Sequence, residues 1–284
     1  MGAAEAPRYQ RFACVIGYPL THTLSPPIHN AAFRRLGIDC VYLAAPVAPE
    51  HLGEAIAGLR ALGALGANVT MPHKEAVIAH LDDVSGDARA VGAVNTIQAL
   101  DKLIGHNTDV DGFRELLVSD IGYDARGARA VVLGAGGAAR AVVCALDQMG
   151  AARIAIVARR AEAAGQLSLL AGASAAEAHP WEEAAALCSA ADVVVNATPL
   201  GTGGGDPVPG ATFRRGQVVV DLVYDPPATE LVRRARAAGA DAWGGLGMLI
   251  HQAAASFKIW TGQEPPIEVM SAAALHALRA RTRP

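Results

Sequence analysis

The chain has 284 residues, of which 52% are hydrophobic, 18% charged and only 5% aromatic, and its formal net charge is −3. That length suits two domains of ordinary size, and the composition suits a well-cored globular protein rather than a disordered one. The charge balance argues against a nucleic-acid partner, and no uninterrupted apolar run reaches the roughly 18 residues of a membrane span. Residues 1–12 carry no apolar signal core, so a cytoplasmic location is expected. Cys14, Cys40, Cys144 and Cys188 are scattered without a CxxC pair, which reads as buried free thiols and no metal site.

Residues 12–17 read as a short apolar strand. Beyond it Ser25-Pro26 opens a helix: Ser25 can cap it, and Pro26 costs nothing in the first turn. Ile28, Ala31, Ala32 and Leu36 form its apolar stripe, which Gly37 stops. Thr23 and Ser25 are then either local helix-start residues or hydroxyls presented to a ligand carboxylate. Residues 41–46 read as a second strand and 51–62 as an amphipathic helix. A third strand, 64–69, runs into Asn68-Val-Thr70-Met-Pro-His-Lys74, a turn stiffened by Pro72, with an apolar-periodic helix over 75–81 behind it. A helix N-terminus disfavours a cation, so Lys74 is misplaced there for stability alone. Beside amide and hydroxyl side chains it suits holding an oxygen-rich small molecule and exchanging a proton with it; the alternative is a solvated turn with a surface lysine.

Residues 88–92 lead into a strand carrying Asn95, and Gly105-His-Asn-Thr-Asp109 stands just before a helix expected from Gly112. Asp109 is either an acid at a helix entry or the partner of Lys74. Strands alternating with helices predict a mostly parallel sheet whose carboxyl ends gather on one edge. Thr23, Ser25, Lys74 and Asn95 all fall at or just beyond such ends.

A fully apolar strand at 128–133 is followed by Gly134-Ala-Gly136-Gly137-Ala138-Ala139-Arg140 and a helix to Met149. This is the G-x-G-x-x-A dinucleotide fingerprint in its proper strand–turn–helix setting. Gly134 permits the tight turn, Gly136 admits a pyrophosphate, and Ala139 lets helix and strand pack. The next strand, 153–158, ends in Arg159-Arg160 with no acid before Glu162. Two guanidiniums favour the 2′-phosphate of NADP over the ribose hydroxyl of NAD, unless both are merely solvated. Strands at 192–198, 217–221 and 241–243 follow, and their loops, with Thr198, Leu222 and Tyr224, are expected to border the nicotinamide end. Residues 201–210 read as a mobile loop or a plain linker. Gly244-Gly245-Leu-Gly-Met248 opens a long apolar helix to Trp260, in which Gln252 either pairs internally or faces a ligand; a last helix covers 269–280.

Taken together, these motifs closely resemble the shikimate dehydrogenase family, from Gly17 to Gly262. The resemblance rests on Thr23–Asn30 (T-x-S-P-x-x-H-N), NVTMPHK, GAVNT at 92–96, GHNTD with Gly112-Phe113, GAGGAAR, NATPLG and GLGMLIHQ. It implies an α/β protein of two domains with a cleft between them. Residues 1–108 together with 246–284 would form the substrate-binding and catalytic domain, and 109–245 a Rossmann-like doubly wound NADP-binding domain. It implies reversible NADPH-dependent reduction of 3-dehydroshikimate to shikimate, a step toward aromatic amino acids, with shikimate as the small-molecule ligand of a monomer or homodimer. Lys74 and Asp109 are implied as the catalytic pair, and Thr23, Ser25, Asn68, Thr70, Asn95, Tyr224 and Gln252 as further substrate ligands. Cofactor contacts are implied at Gly134, Gly136, Gly137, Ala138, Ala139, Arg159, Arg160, Thr198, Leu222, Gly245 and Met248.

Two positions depart from the family pattern. Thr23 stands where serine is usual, adding a methyl group to the expected carboxylate pocket. Ala158-Arg159-Arg160 replaces the usual Asn-Arg-Thr. The first keeps quinate or aminoshikimate dehydrogenase as the rival reading, and the second narrows the margin of NADP over NAD. A non-catalytic sensor of shikimate or cofactor is the more distant rival; it would be expected to lack Lys74 or Asp109.

Overall fold

The computed structural model describes residues 11–20 and 23–281. In chain order the first elements are β1 (Arg11–Gly17), α1 (Ser25–Arg35), β2 (Cys40–Pro46), α2 (Leu52–Ala61), β3 (Gly66–Val69), β4 (Asp83–Val84), α3 (Gly86–Val91), β5 (Thr96–Ala99) and β6 (Leu103–His106). Then come α4 (Asp109–Glu115), β7 (Arg129–Leu133), α5 (Gly137–Gln148), β8 (Arg153–Val157), α6 (Ala161–Ser168), β9 (Ala175–His179), α7 (Ala184–Ala190) and β10 (Val193–Asn196). The chain goes on through β11 (Val218–Asp221), α8 (Glu230–Ala237), β12 (Asp241–Gly244), α9 (Leu246–Thr261) and α10 (Ile267–Arg281). Among the described residues no helix is long and apolar enough to cross a membrane.

The chain divides into two compact units. One holds the described residues up to 85 with 94–106 and those from 253 onward; the other holds 86–93 and 107–252. This differs from the expected division at 108 and 246. For 86–93 the reason lies in side-chain anchoring: Arg140 of α5 donates to the Val91 carbonyl (3.3 Å), and Asn107 Nδ2 donates to the Ala93 carbonyl (2.9 Å). Both bonds tie α3 to the second unit.

The first unit has a six-stranded sheet in the order β2-β1-β3-β5-β6-β4. The expected mostly parallel sheet is corrected here to a mixed one: β1 runs parallel to β2 and β3, but β5 is antiparallel to both β3 and β6. The short β5–β6 hairpin leaves no room for a crossover helix, so its strands must alternate in direction. Ile28 and Phe33 of α1, Ile56 of α2 and Phe257 and Trp260 of α9 are all essentially buried in this unit.

Three local expectations also change. The N-cap of α1 is Leu24, not Ser25; Ser25 is the first helical residue, and its N–H is taken by Thr23 Oγ1 (3.2 Å). The helix expected over 75–81 is a 3₁₀ stretch, Ala76–His80, ended by extended Leu81. Five residues between a proline turn and an extended residue are too few to nucleate an α-helix. The macrodipole argument about Lys74 weakens accordingly. The helix expected from Gly112 begins instead at Asp109, whose N–H is held by Asn107 Oδ1 (3.1 Å).

The second unit has a fully parallel sheet, β12-β11-β10-β7-β8-β9. Its central strands read as unbroken Val and Leu runs because both faces are covered. One face packs with α4, α5 and α6 around Phe113, Val142 and Leu167; the other packs with α7 and α8 around Cys188 and Leu231. All four cysteines are free and buried, and burial pushes the Cys14 and Cys188 thiols up to about 12. They are packing residues rather than reactive ones.

Candidate functional site

In the first unit, three main-chain bonds bring the polar residues to one sheet edge. Thr70 N–H donates to Ile16 O, Val69 N–H to Asn95 O and Val94 N–H to Lys74 O, each at 2.8 Å. The convergence therefore exists, but for a different reason from the one expected. Because β5 runs antiparallel to β3, its amino end, preceded by Asn95, lies beside the carboxyl end of β3 (Asn68 pairs with Thr96). The turn is pinned by His73, which is buried with its Nε2 2.7 Å from Val47 O. Lys74 and Thr70 are half-buried, while Asn68 and Asn95 are buried.

Beneath that edge lies a buried polar network. Tyr42 O–H donates to Asn68 Oδ1 (2.6 Å), and Asn68 Nδ2 reaches Thr96 Oγ1 (3.1 Å), Ser256 Oγ (3.0 Å) and Asn95 O (3.2 Å). Thr96 O–H donates to Asn95 Oδ1 (3.0 Å). His29 stacks on the Tyr42 ring, with centroids 4.4 Å apart and planes 9° from parallel. Burial lowers the His29 pKa from 6.5 to about 3, so the ring is neutral. Burial likewise pushes the Tyr42 phenol well above its usual range. Tyr42, Thr96 and Ser256 escaped the sequence reading. Ser256 had a signal, since it sits one helical turn beyond Gln252 in an apolar helix.

In the second unit, the turn after β7 is shaped by what is absent. Gly134 has φ +110°, and a Cβ there would stand 3.0 Å from Thr198 Cγ2 and 3.1 Å from Ala197 O. Gly136, the N-cap of α5, has open space where a side chain would stand. The first turn of α5 carries no acid, and Ala139 is fully buried beneath it. An unobstructed backbone at the amino end of a twelve-residue helix fits a dinucleotide pyrophosphate. Arg159 and Arg160 are exposed at the end of β8, where a ribose phosphate would be met.

The loops after β10 and β11 are joined by one buried carboxylate. Asp221 Oδ1 accepts from Asn196 Nδ2 (2.8 Å) and Val223 N (3.1 Å), and Oδ2 accepts from Thr229 Oγ1 (2.6 Å). Burial raises the Asp221 pKa against these three donors. Asn196 Oδ1 also accepts from the Thr198 hydroxyl (2.6 Å), so the clamp fixes Thr198 and the Leu222–Tyr224 segment together. A Cβ on Gly245 would overlap the Leu222 carbonyl, and Gly245 N–H donates to Val223 O (3.1 Å). Tyr224 is half-buried. Asp109 and Gln252 are buried, with Gln252 Nε2 bonded to Leu249 O (2.8 Å), and Met248 lies in the core cluster.

The candidate residues thus fall into two sets. Thr23, Ser25, Asn68, Thr70, Lys74 and Asn95 belong to the first unit. Asp109, Tyr224, Gln252 and every dinucleotide position belong to the second.

Fold and residues define a Rossmann-like α/β protein with a second, mixed α/β unit carrying a polar, lysine-bearing sheet edge. Comparison with known proteins narrows the class. Residues 15–97 match the shikimate dehydrogenase substrate binding domain, 116–202 the shikimate/quinate 5-dehydrogenase domain and 245–275 the shikimate 5′-dehydrogenase C-terminal domain. A shikimate dehydrogenase (NADP⁺) of Salinibacter ruber is 48% identical, over 94% of this chain and 96% of its own. The shikimate 5-dehydrogenase of Thermus thermophilus, solved with NADP(H) and shikimate, superposes with a TM-score of 0.84 at 37% identity, over 94% of this chain and 99% of its own. The quinate dehydrogenase of Corynebacterium glutamicum, solved with NAD, gives 0.87 at 32% identity, over 95% and 100%. The chain belongs to the shikimate dehydrogenase family.

Proposed function

We propose that this chain is an enzyme catalysing the reversible NADP-linked interconversion of 3-dehydroshikimate and shikimate in the cytoplasm, as a monomer or homodimer. NADPH, when bound, supplies the hydride. The Val94 N–Lys74 O bond of 2.8 Å carries the reading, because it sets the lysine main chain beside the residue preceding Asn95. The Lys74 ammonium gives a proton to the ring oxygen as charge develops there and recovers it in the oxidative direction. Asn95 and Thr70 fix ring hydroxyls, and Thr23 and Ser25 receive the carboxylate at the start of α1. Asp109 is assigned with Lys74 as the catalytic pair on the motif match. Orientation of the reacting carbon supplies much of the remaining rate. Gly134, Gly136, Gly137, Ala138 and Ala139 hold the pyrophosphate, and Arg159 and Arg160 the 2′-phosphate. Thr198, Leu222, Gly245 and Met248 line the nicotinamide end, with Tyr224 and Gln252 turned to substrate.

A second reading, quinate in place of shikimate, is favoured by one residue: the Thr23 methyl changes the carboxylate pocket by roughly 1–3 kcal/mol at most. The test is Lys74→Ala, assayed with shikimate and NADP⁺ beside the wild-type protein. Turnover should fall by about 10²–10⁴-fold, with shikimate affinity by calorimetry changed by less than about threefold. Near-normal turnover overturns the assignment.

A further inference from the structure

The network under the first unit's polar edge has a direction, set by the orientations of the Asn68 and Asn95 amides. Asn68 Oδ1 can only accept, so the Tyr42 hydroxyl, 2.6 Å away, must donate to it. That turns the Asn68 amide so that its Nδ2 protons go inward, to Ser256 Oγ (3.0 Å) and Thr96 Oγ1 (3.1 Å). Thr96 donates its single proton to Asn95 Oδ1 (3.0 Å), so across the 2.8 Å contact between Ser256 and Thr96 it is Ser256 that donates. Thr96 Oγ1 then accepts from Asn68 Nδ2 and from Ser256. A reversed Asn95 amide would aim an N–H at that oxygen and would require Thr96 to turn its proton to Ser256 instead. In the structure the Asn95 amide stands with its oxygen inward, toward Thr96, and its Nδ2 on the opposite side.

We propose that Tyr42, Asn68, Ser256 and Thr96 form a one-way hydrogen-bond relay that sets which end of the Asn95 amide the substrate meets. This rests on the reading of Asn95 as a substrate ligand. It gives Asn68 a different part from direct ligation, because both Asn68 amide protons are spent inside the unit. Tyr42, Asn68, Ser256 and Thr96 are positioning residues. All four are buried, where a misdirected donor has no water to turn to. The stacked His29 ring holds the Tyr42 phenol in place at the start of the relay.

Thr96→Val keeps the shape and removes both the donor and the double acceptor. The shikimate KM should rise about tenfold while the NADP KM stays within twofold, and Thr96→Ser should restore the shikimate KM to within threefold. A purely structural role would move both KM values together. A shikimate KM within twofold of wild type in Thr96→Val, or failure of serine to rescue, overturns the relay. A second measurement needs no turnover: side-chain amide hydrogen exchange in the ligand-free, ¹⁵N-labelled protein, with signals assigned by their loss in Asn68→Asp and Asn95→Asp. The Asn68 amide protons should exchange at least tenfold more slowly than those of an exposed asparagine, and Ser256→Ala should remove that protection. Unprotected Asn68 protons in the wild type overturn the relay. Absence of shikimate turnover by the wild type would instead overturn the proposed reaction, and the exchange measurement would still decide the relay.

Discussion

In the first unit the polar edge is made of side chains. Thr70 and Asn95 stand just beyond strand ends and Lys74 in the turn after β3, and buried hydroxyls and amides hold the asparagines from below. The corresponding edge of the second unit is made largely of missing side chains. Gly134 and Gly136 expose main chain at the start of α5, and one buried carboxylate, Asp221, holds the neighbouring loops. The difference matches the ligands. A small polyhydroxylated ring is told from its relatives by individual hydrogen bonds, and each must be aimed. A pyrophosphate is the same in every dinucleotide, so backbone N–H groups and a helix N-terminus suffice, and on the proposed reading discrimination moves out to Arg159 and Arg160.

The largest way to break this contrast, after loss of Lys74, is to give the second unit a side chain it lacks. Gly134→Val forces a β-branched residue to φ +110° and against Thr198 and Ala197 O. With roughly 1–3 kcal/mol of backbone strain, the NADP KM should rise by about 10- to 100-fold. Shikimate affinity by calorimetry should stay within twofold, since the polar edge of the first unit is untouched. A smaller change sharpens the contrast. Arg159→Ala should lower the NADP-over-NAD ratio of kcat/KM about tenfold, as loss of one exposed charge-assisted hydrogen bond implies, with the shikimate KM unchanged.

The smallest effect is on stability. His29 has a folded pKa of about 3, below its ordinary 6.5, so the unfolded chain takes up the proton first as pH falls. Its share of stability is therefore intact above about pH 6.5 and declines toward pH 3, by up to about 1.4 kcal/mol per pH unit. Urea unfolding at pH 7 and pH 4.5 should show a smaller loss in His29→Phe than in the wild type. Equal losses would contradict the burial.

Much of this contrast was legible in the sequence. GAGGAAR between an apolar strand and a helix announces a dinucleotide turn, because the pattern and the geometry are the same thing: glycine where no side chain fits. Lys74 and Asn95 could be placed on one edge, but by an argument that assumed parallel strands. The antiparallel β5–β6 hairpin was missed because Thr96–Ala99 and Leu103–His106 are only four residues each, with too few positions to show a period. The network escaped for another reason. Tyr42, Thr96 and Ser256 lie far apart in the chain, and nothing local to a tyrosine in a strand or a serine in a helix says what it will meet. Helices α6 and α7 are rich in alanine, which marks no face, so their extents did not stand out either.

The most direct test offers shikimate and quinate, each with NADP⁺ and with NAD⁺, to the purified protein and compares kcat/KM for the four pairs from nicotinamide absorbance. Shikimate with NADP⁺ should exceed each other pair by at least tenfold, the outcome that the proposed roles of Thr23 at the carboxylate and Arg159 at the 2′-phosphate call for. A preference for quinate, or for NAD⁺, would contradict the account at the corresponding unit and leave the other standing.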